Sequence, residues 1–258
     1  VAWFVAGFAA FGLAVGSFLN VVIARVPAGE SVVRPGSRCP ACGASIAARD
    51  NVPVLSWLLL RGRARCCAAR ISVRYPFVEV VTAASLAGVA AWTGLSWALP
   101  AFAYLAAVSI ALAVIDVDVQ RLPWWLVAPS YPVGAGLLGI ASLVEQDGSA
   151  MVRALIGAVT LWGFYRVLAL YPNGMGAGDI RLAGVLGMYL AWLGWDHLIV
   201  GAFLGFLVGG LGGIIALLMR RASLKTQIPY GPYMLLGAWL GIVYGSDVAD
   251  WYLSTSGL

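Results

Sequence analysis

Eight apolar runs dominate this chain, near residues 3–24, 73–93, 99–115, 124–144, 152–171, 180–195, 198–219 and 230–246. Most are about 17–22 residues long, enough for a helix rising 1.5 Å per residue to cross a hydrocarbon core of about 30 Å. Inside a bilayer every amide and carbonyl must find a partner within the protein, so such runs become helices. The sixth and last runs are short and flanked by Gly or Pro, which predicts tilted or partly broken helices. Only 10% of residues are charged and the mean hydropathy is +0.91, whereas a soluble domain is about 25% charged. The expected fold class is therefore an all-α polytopic membrane protein with about eight transmembrane helices. The first run lacks a basic start and a small-residue cleavage site, so it reads as a span, not a signal peptide. Glycines such as Gly205, Gly209, Gly210, Gly212 and Gly213 fit close helix packing.

Charge placement sets the orientation. Nine of the 16 basic residues lie between Arg25 and Arg74, the first long loop, which the positive-inside rule makes cytoplasmic. Alternating the spans from there brings 116–123, 172–179 and 220–229 to the same side, in accord with Arg121, Arg220, Arg221 and Lys225. The turns Glu145-Gln146-Asp147 and Trp195-Asp196-His197 fall outside. The net charge of +5 then reflects topology and attraction to anionic lipid, and carries no nucleic-acid signal. The chain divides into a first span (1–24), a cytoplasmic loop (25–72) and a membrane-embedded core (73–258).

Two aspartates stand out against this apolar background. Asp116 ends the third run and Asp179 closes Gly176-Ala177-Gly178-Asp179 before the sixth. A carboxylate in a span is costly to insert, up to about 2.5–3.5 kcal/mol at the helix centre, so one set against an apolar run tends to serve a function. Both fall at the cytoplasmic face, where a pair of carboxylates is the equipment of an aspartyl protease. Asp118 competes with Asp116, but residues two apart on a helix point about 200° apart, and only one can face Asp179. Asp116 is the deeper; Asp118 has helical spacing to Arg121 and is placed to orient its neighbour or serve structure. Gly176 and Gly178 would let an extended chain approach Asp179 closely. Asp116 lies at the negative end of its helix and Asp179 at the positive end of the next. On that basis Asp116 is expected to be the acid and Asp179 the base of a coupled pair.

All four cysteines lie in the loop: Cys39-Pro40-Ala41-Cys42-Gly43, then Cys66-Cys67. In a reducing compartment a metal is the better reading than a disulfide, and Cys-x-x-Cys-Gly is a zinc-knuckle turn. Cys39, Cys42 and Cys67 are the expected ligands, with Cys66 a weaker fourth because adjacent cysteines chelate one ion awkwardly. The loop is too short and polar for its own core, so structural zinc would supply its stability. His197 falls on the opposite face and reads as an interfacial polar residue.

These residues together resemble the bacterial type IV prepilin peptidases, the bifunctional leader peptidase/N-methyltransferases of pilus and type II secretion systems. The resemblance runs through Gly16-Ser17-Phe18-Leu19-Asn20, Arg25-Val26-Pro27, the Cys39 motif, Asp50-Asn51-Val52-Pro53, Ser56-Trp57-Leu58, Arg61-Gly62-Arg63 and Ile71 to Glu79. It continues in Ile115-Asp116-Val117-Asp118, Leu122-Pro123, Gly174-Met175-Gly176-Ala177-Gly178-Asp179 and Ile228-Pro229-Tyr230-Gly231-Pro232. Two positions depart from the pattern. Ala64 stands where a cysteine is usual, and Trp124 where an acidic residue follows Leu-Pro.

The resemblance implies that Asp116 and Asp179 are the catalytic pair. It implies a prepilin or pseudopilin substrate cut after its basic leader, at the cytoplasmic face of the bacterial inner membrane. It further implies S-adenosylmethionine as methyl donor for the new amino terminus, with Asp50, Asn51 and Glu79 as candidate cofactor-binding residues in the loop and adjoining span. Turn formation by Asp50-Asn51 and an ion pair at Glu79 are equally open. So are a peptidase whose methyltransferase is impaired by the altered cysteine pair, a presenilin-like intramembrane protease, and a proton-coupled transporter using the two acids as a relay.

Overall fold

The computed structural model describes residues 1–171, 175–219 and 229–256. Gly174, Arg220, Arg221, Lys225 and Ile228 lie outside the described residues. The chain divides into two compact units, Val1–Ala111 and Leu112–Leu258. Among the described residues it is all helical, apart from two isolated β-bridges.

In the first unit, α1 (Ala2–Arg25) lies along α3 (Arg74–Thr93). The contact is backbone to backbone. A methyl group on Gly12 would stand 2.6 Å from Ala83 Cα, and one on Gly16 2.6 Å from Glu79 Cα. This is the small-xxx-small spacing by which membrane helices gain dispersion contact where no hydrophobic drive exists. Asn20 ties the C-terminal end of α1 to the N-terminal end of α3 by donating its side-chain N–H to the Tyr75 carbonyl at 3.1 Å. Between them runs the loop, with a 3-10 turn at Ala48–Asp50 and the short α2 (Leu55–Leu59). Its first stretch wraps the Arg25 guanidinium, which donates to the carbonyls of Ser31, Pro35 and Gly36 at 2.7–3.1 Å.

Helix α4 (Leu99–Val119) starts in the first unit and ends in the second. It runs one turn beyond the expected end at 115, so Asp116 and Asp118 are both helical. The expected run 124–144 is broken at Pro129 into α5 (Trp124–Val127) and α6 (Ser130–Val144), because proline cannot donate a helical N–H. Then come α7 (Gly148–Leu168), α8 (Ala177–Leu193), α9 (Trp195–Leu218) and α10 (Gly231–Ser256). Helices α7 and α8 close on each other at Gly157 and Gly187, and α9 and α10 at the pairs Gly205–Gly237 and Gly201–Gly241. Helix α8 is the centre of this unit: every residue from Leu182 to Trp192 is buried, as expected of a helix apolar on all sides.

Each of the eight expected segments is helical. Among the described residues, six helical segments are long and apolar enough to cross a membrane by length and composition. Helix α8, at 17 residues, and α10, which carries Asp247 and Asp250, fall outside that set.

Candidate active site and cysteine cluster

Helix α4 delivers Asp116 from its last turn, with the side chain buried at 4% exposure. Asp118, two residues on, faces out and is exposed. Asp179 occupies the first turn of α8, where the N–H of Gly176 donates to Oδ2 at 3.2 Å. Its carboxylate and that of Asp116 sit close enough to repel each other. Asp116 has an amide of its own: the N–H of Gly231, first residue of α10, donates to Oδ2 at 2.9 Å. The positive end of α10 thus faces Asp116 and offsets the negative end of α4. The helix-end asymmetry expected to separate an acid from a base is therefore countered, since each carboxylate meets one helix N-terminus. Leu122 packs against the N-terminal turns of both α8 and α10. It lies 2.9 Å from where a Gly178 Cβ would stand and 3.3 Å from where a Gly231 Cβ would stand.

The four thiols converge. The sulfur atoms of Cys39, Cys42, Cys66 and Cys67 all lie within 4.8 Å of one another, with Cys42–Cys66 at 3.3 Å, Cys39–Cys67 at 3.7 Å and Cys66–Cys67 at 3.9 Å. Four thiolates bound tetrahedrally at about 2.3 Å place their sulfurs about 3.8 Å apart, so the set fits a structural zinc ion. Two turns of one design build it. In the first, the Cys39 N–H donates to the Ala44 carbonyl and the Gly43 N–H to the Cys39 carbonyl. In the second, the Ala64 N–H donates to Ala69 and the Ala68 N–H to Ala64, all four at 2.8 Å. The bridges Arg38–Ser45 and Arg63–Arg70 close the two turns in the same way. Ala64 therefore sits in the place of Cys39, and Cys66 reaches in from within the turn to supply the fourth sulfur. Cys66 is a full member of the cluster, not its weak candidate. Amides of Cys42 and Ala41 hold the Cys39 thiol down at about 6. Hydrogen bonding to the Cys42 sulfur, with desolvation, pushes Cys66 up to about 12. Four thiolates at this spacing need a cation between them.

Beside the cluster is a cavity of about 550 Å³ among α1, the loop and α3. Asp50, Asn51 and Glu79, far apart in sequence, all line it. Glu79 accepts the Val54 N–H at 2.7 Å. That bond fixes Val54 at φ 59°, a conformation a β-branched residue adopts only when its surroundings enforce it. Asp50 takes both its hydrogen bonds from Arg65 Nε, at 2.9 and 3.1 Å, which links the cavity wall to the second cysteine turn.

Residues 10–93 match the Bacterial Peptidase A24 N-terminal domain and residues 103–214 the type IV leader peptidase family. A protein of Aeromonas salmonicida named prepilin leader peptidase/N-methyltransferase is 36% identical over 95% of this chain and 92% of its own length. Relatives of the same name from Stutzerimonas stutzeri, 37% identical over 94% and 91%, and Neisseria gonorrhoeae, 33% over 95% and 93%, cover as much. The chain belongs to the type IV leader peptidase family. No solved structure matches it.

Within this family's pattern, the two departures acquire physical explanations. The cysteine missing at Ala64 is replaced by Cys66 in the same turn. Trp124, standing where an acid is usual, receives the guanidinium of Arg181 over its ring, 4.7 Å from the centroid, a cation–π contact. His197 has a local neighbour, its Nδ1 lying 3.1 Å from Asp196 Oδ1. Sequence reasoning named the Ile-Pro-Tyr-Gly-Pro motif but not the job of its glycine. A motif glycine opening an apolar helix was the available signal for an amide aimed at an acid.

Proposed function

We propose that this multi-pass membrane protein removes the leader from prepilins or type II secretion pseudopilins and then methylates the new amino terminus. Asp116 and Asp179 are the hydrolytic pair. The observation that carries this is their placement: two carboxylates in one unit, in electrostatic contact, each holding one main-chain N–H. Two such groups cannot both ionise at low cost, so they share one proton. The ionised carboxylate takes a proton from water as the water attacks the scissile carbonyl. The protonated one gives its proton to the carbonyl oxygen, and the amine leaves with a proton returned from the pair. Gly176 and Gly178 leave room for the substrate strand, and Asp118 orients the end of α4. The site faces the cytoplasm at the bacterial inner membrane, where the leader meets the start of the substrate's apolar helix.

The cavity lined by Asp50, Asn51 and Glu79 is of the size that holds a cofactor, and we assign it to S-adenosylmethionine. When bound, that cofactor supplies the methyl group. Glu79 and the Asp50–Arg65 pair keep the walls in place, and zinc on the four thiolates holds the loop that forms them. A complete thiolate set removes the reason to expect a peptidase with a defective methyltransferase.

The test incubates membranes carrying the protein with a prepilin and S-adenosylmethionine, followed by mass spectrometry of the product terminus. Asp116→Asn and Asp179→Asn should each abolish leader loss; intact cleavage by either variant would sink the pair. Glu79→Gln should cleave normally and methylate poorly. Equal loss of both activities would remove the assignment of the cavity.

A further inference from the structure

Two tyrosines lie within electrostatic reach of Asp179 and have no part in the chemistry above. Tyr230 immediately precedes Gly231, so one dipeptide supplies both the amide that holds Asp116 and a phenol within electrostatic reach of the other carboxylate. Asp179 acts electrostatically on Tyr230 and on Tyr165 of α7, and the two phenols interact with each other. Tyr165 is 2% exposed. The Tyr230 ring packs against both Tyr165, centroid 6.4 Å away, and Phe206 of α9 at 5.9 Å, whose own centroids are 5.4 Å apart. Gly209 makes room for that ring: a Cβ there would stand 2.7 Å from Tyr230 Cε2.

The hydroxyl of Tyr230 is buried; the Tyr165 phenol acts on it as a donor, and among the described residues no group accepts the Tyr230 O–H in hydrogen-bond geometry. An O–H kept out of water and unpaired is costly, so it needs a reason. A rigid ring holding an unspent donor within electrostatic reach of the reacting carboxylates is the arrangement that stabilises charge appearing only during the reaction.

We propose that Tyr230 is a third catalytic residue of the peptidase site, its O–H donating to the scissile carbonyl oxygen as the tetrahedral intermediate forms, with Tyr165 as its positioning residue. This rests on the reading of Asp116 and Asp179 as the hydrolytic pair. The proton balance of that pair is unchanged. Water gives one proton to the ionised carboxylate and its oxygen bonds to carbon; the carbonyl oxygen takes the proton of the other carboxyl. The C–N bond then breaks as the amine receives the proton taken from water, while a hydroxyl of the tetrahedral intermediate returns its proton to the other carboxylate and the carbonyl re-forms. Tyr230 keeps its own proton throughout and contributes one hydrogen bond, strongest when the oxygen is most negative.

The experiment uses the full chain in membranes, a prepilin substrate and steady-state cleavage rates. Tyr230→Phe keeps the ring and its packing, and should lower kcat by about 10²-fold, the usual effect of deleting one such donor. KM should stay within about threefold, because the bond is made in the transition state and not on binding. Tyr165→Phe should cost less, and the double variant no more than Tyr230→Phe alone, since Tyr165 acts through Tyr230. Methylation of a pre-cleaved pilin peptide should be unaffected. If Tyr230→Phe melts at lower temperature than the parent, Gly209→Ala provides the independent test. It pushes the ring without removing the hydroxyl, and should lower kcat at constant KM. Wild-type kcat in both Tyr230→Phe and Gly209→Ala, with Asp116→Asn and Asp179→Asn inactive, overturns the role of Tyr230 and leaves the pair standing. Cleavage by the Asn variants instead overturns the pair itself.

Discussion

Gly231→Ala isolates the contact that the fold adds to the hydrolytic pair. A Cβ on Gly231 would stand 2.8 Å from Asp116 Oδ2 and 3.3 Å from its Cγ, with Leu122 Cδ2 at 3.3 Å on the other side. Ordinary contact begins near 3.4 Å, so the carboxylate oxygen must retreat by about 0.6 Å. The 2.9 Å bond from the Gly231 N–H then stretches beyond useful length. A bond to a charged acceptor is worth about 1.5–3 kcal/mol, and a misplacement of about 1 Å at reacting groups can cost 10²-fold in rate. We expect leader cleavage to fall about 10–100-fold. Stability should fall by about 0.5–2 kcal/mol, because the preference of a helix for alanine over glycine, up to about 1 kcal/mol, offsets only part of the lost bond. The assay is the initial rate of leader removal, with thermal melting and methylation of a pre-cleaved peptide as controls. Wild-type cleavage by a folded Gly231→Ala protein would show that the amide does not position Asp116.

Cys66→Ala should weaken zinc by about 100-fold or more, read by competition with a chromophoric chelator, and adding Ala64→Cys should restore it by returning the thiol to the Cys39-equivalent position. Undiminished zinc in Cys66→Ala would remove Cys66 from the site. Gly12→Val should destabilise the α1–α3 contact by about 1–3 kcal/mol, since its Cβ would be 2.6 Å from Ala83 Cα. Gly7→Val, with nothing within 4 Å, is the control, and equal melting of the two would refute the packing argument. Asp147 caps α7: the Ser149 hydroxyl and the Ala150 N–H both donate to it, holding its carboxyl below the ordinary range. A lowered value means its contribution is complete above the usual carboxylate pKa and is lost as pH falls through the depressed one. Asp147→Asn should remove that acid-side loss, checked by melting temperature between pH 7 and pH 3; an unchanged acid limb would count against the cap.

How much of this was legible in the chain varies with the range of the interaction. Run length and apolarity depend only on neighbours in sequence, and all eight expected segments are helical. Even there, Pro129 splits the fourth segment, and the helix through Asp116 runs a turn further than apolarity alone extends it. The four cysteines, Asp50, Asn51, Glu79 and the two aspartates stood out by residue type and motif. What their partners are did not. Adjacent cysteines look like poor co-ligands until the second turn superposes on the first and turns Cys66 inward.

The sequence by itself determined that the chain is a helical membrane protein with two acids at span edges and four thiols in one loop, because burial cost and backbone hydrogen bonding act on each segment alone. Only the tertiary structure decided that α10 lends an amide to Asp116, that Tyr165 and Tyr230 pack together within electrostatic reach of Asp179, and that Asp50, Asn51 and Glu79 share one cavity. Those contacts join residues tens of positions apart, and they exist only where glycines let helices approach closely enough to set them.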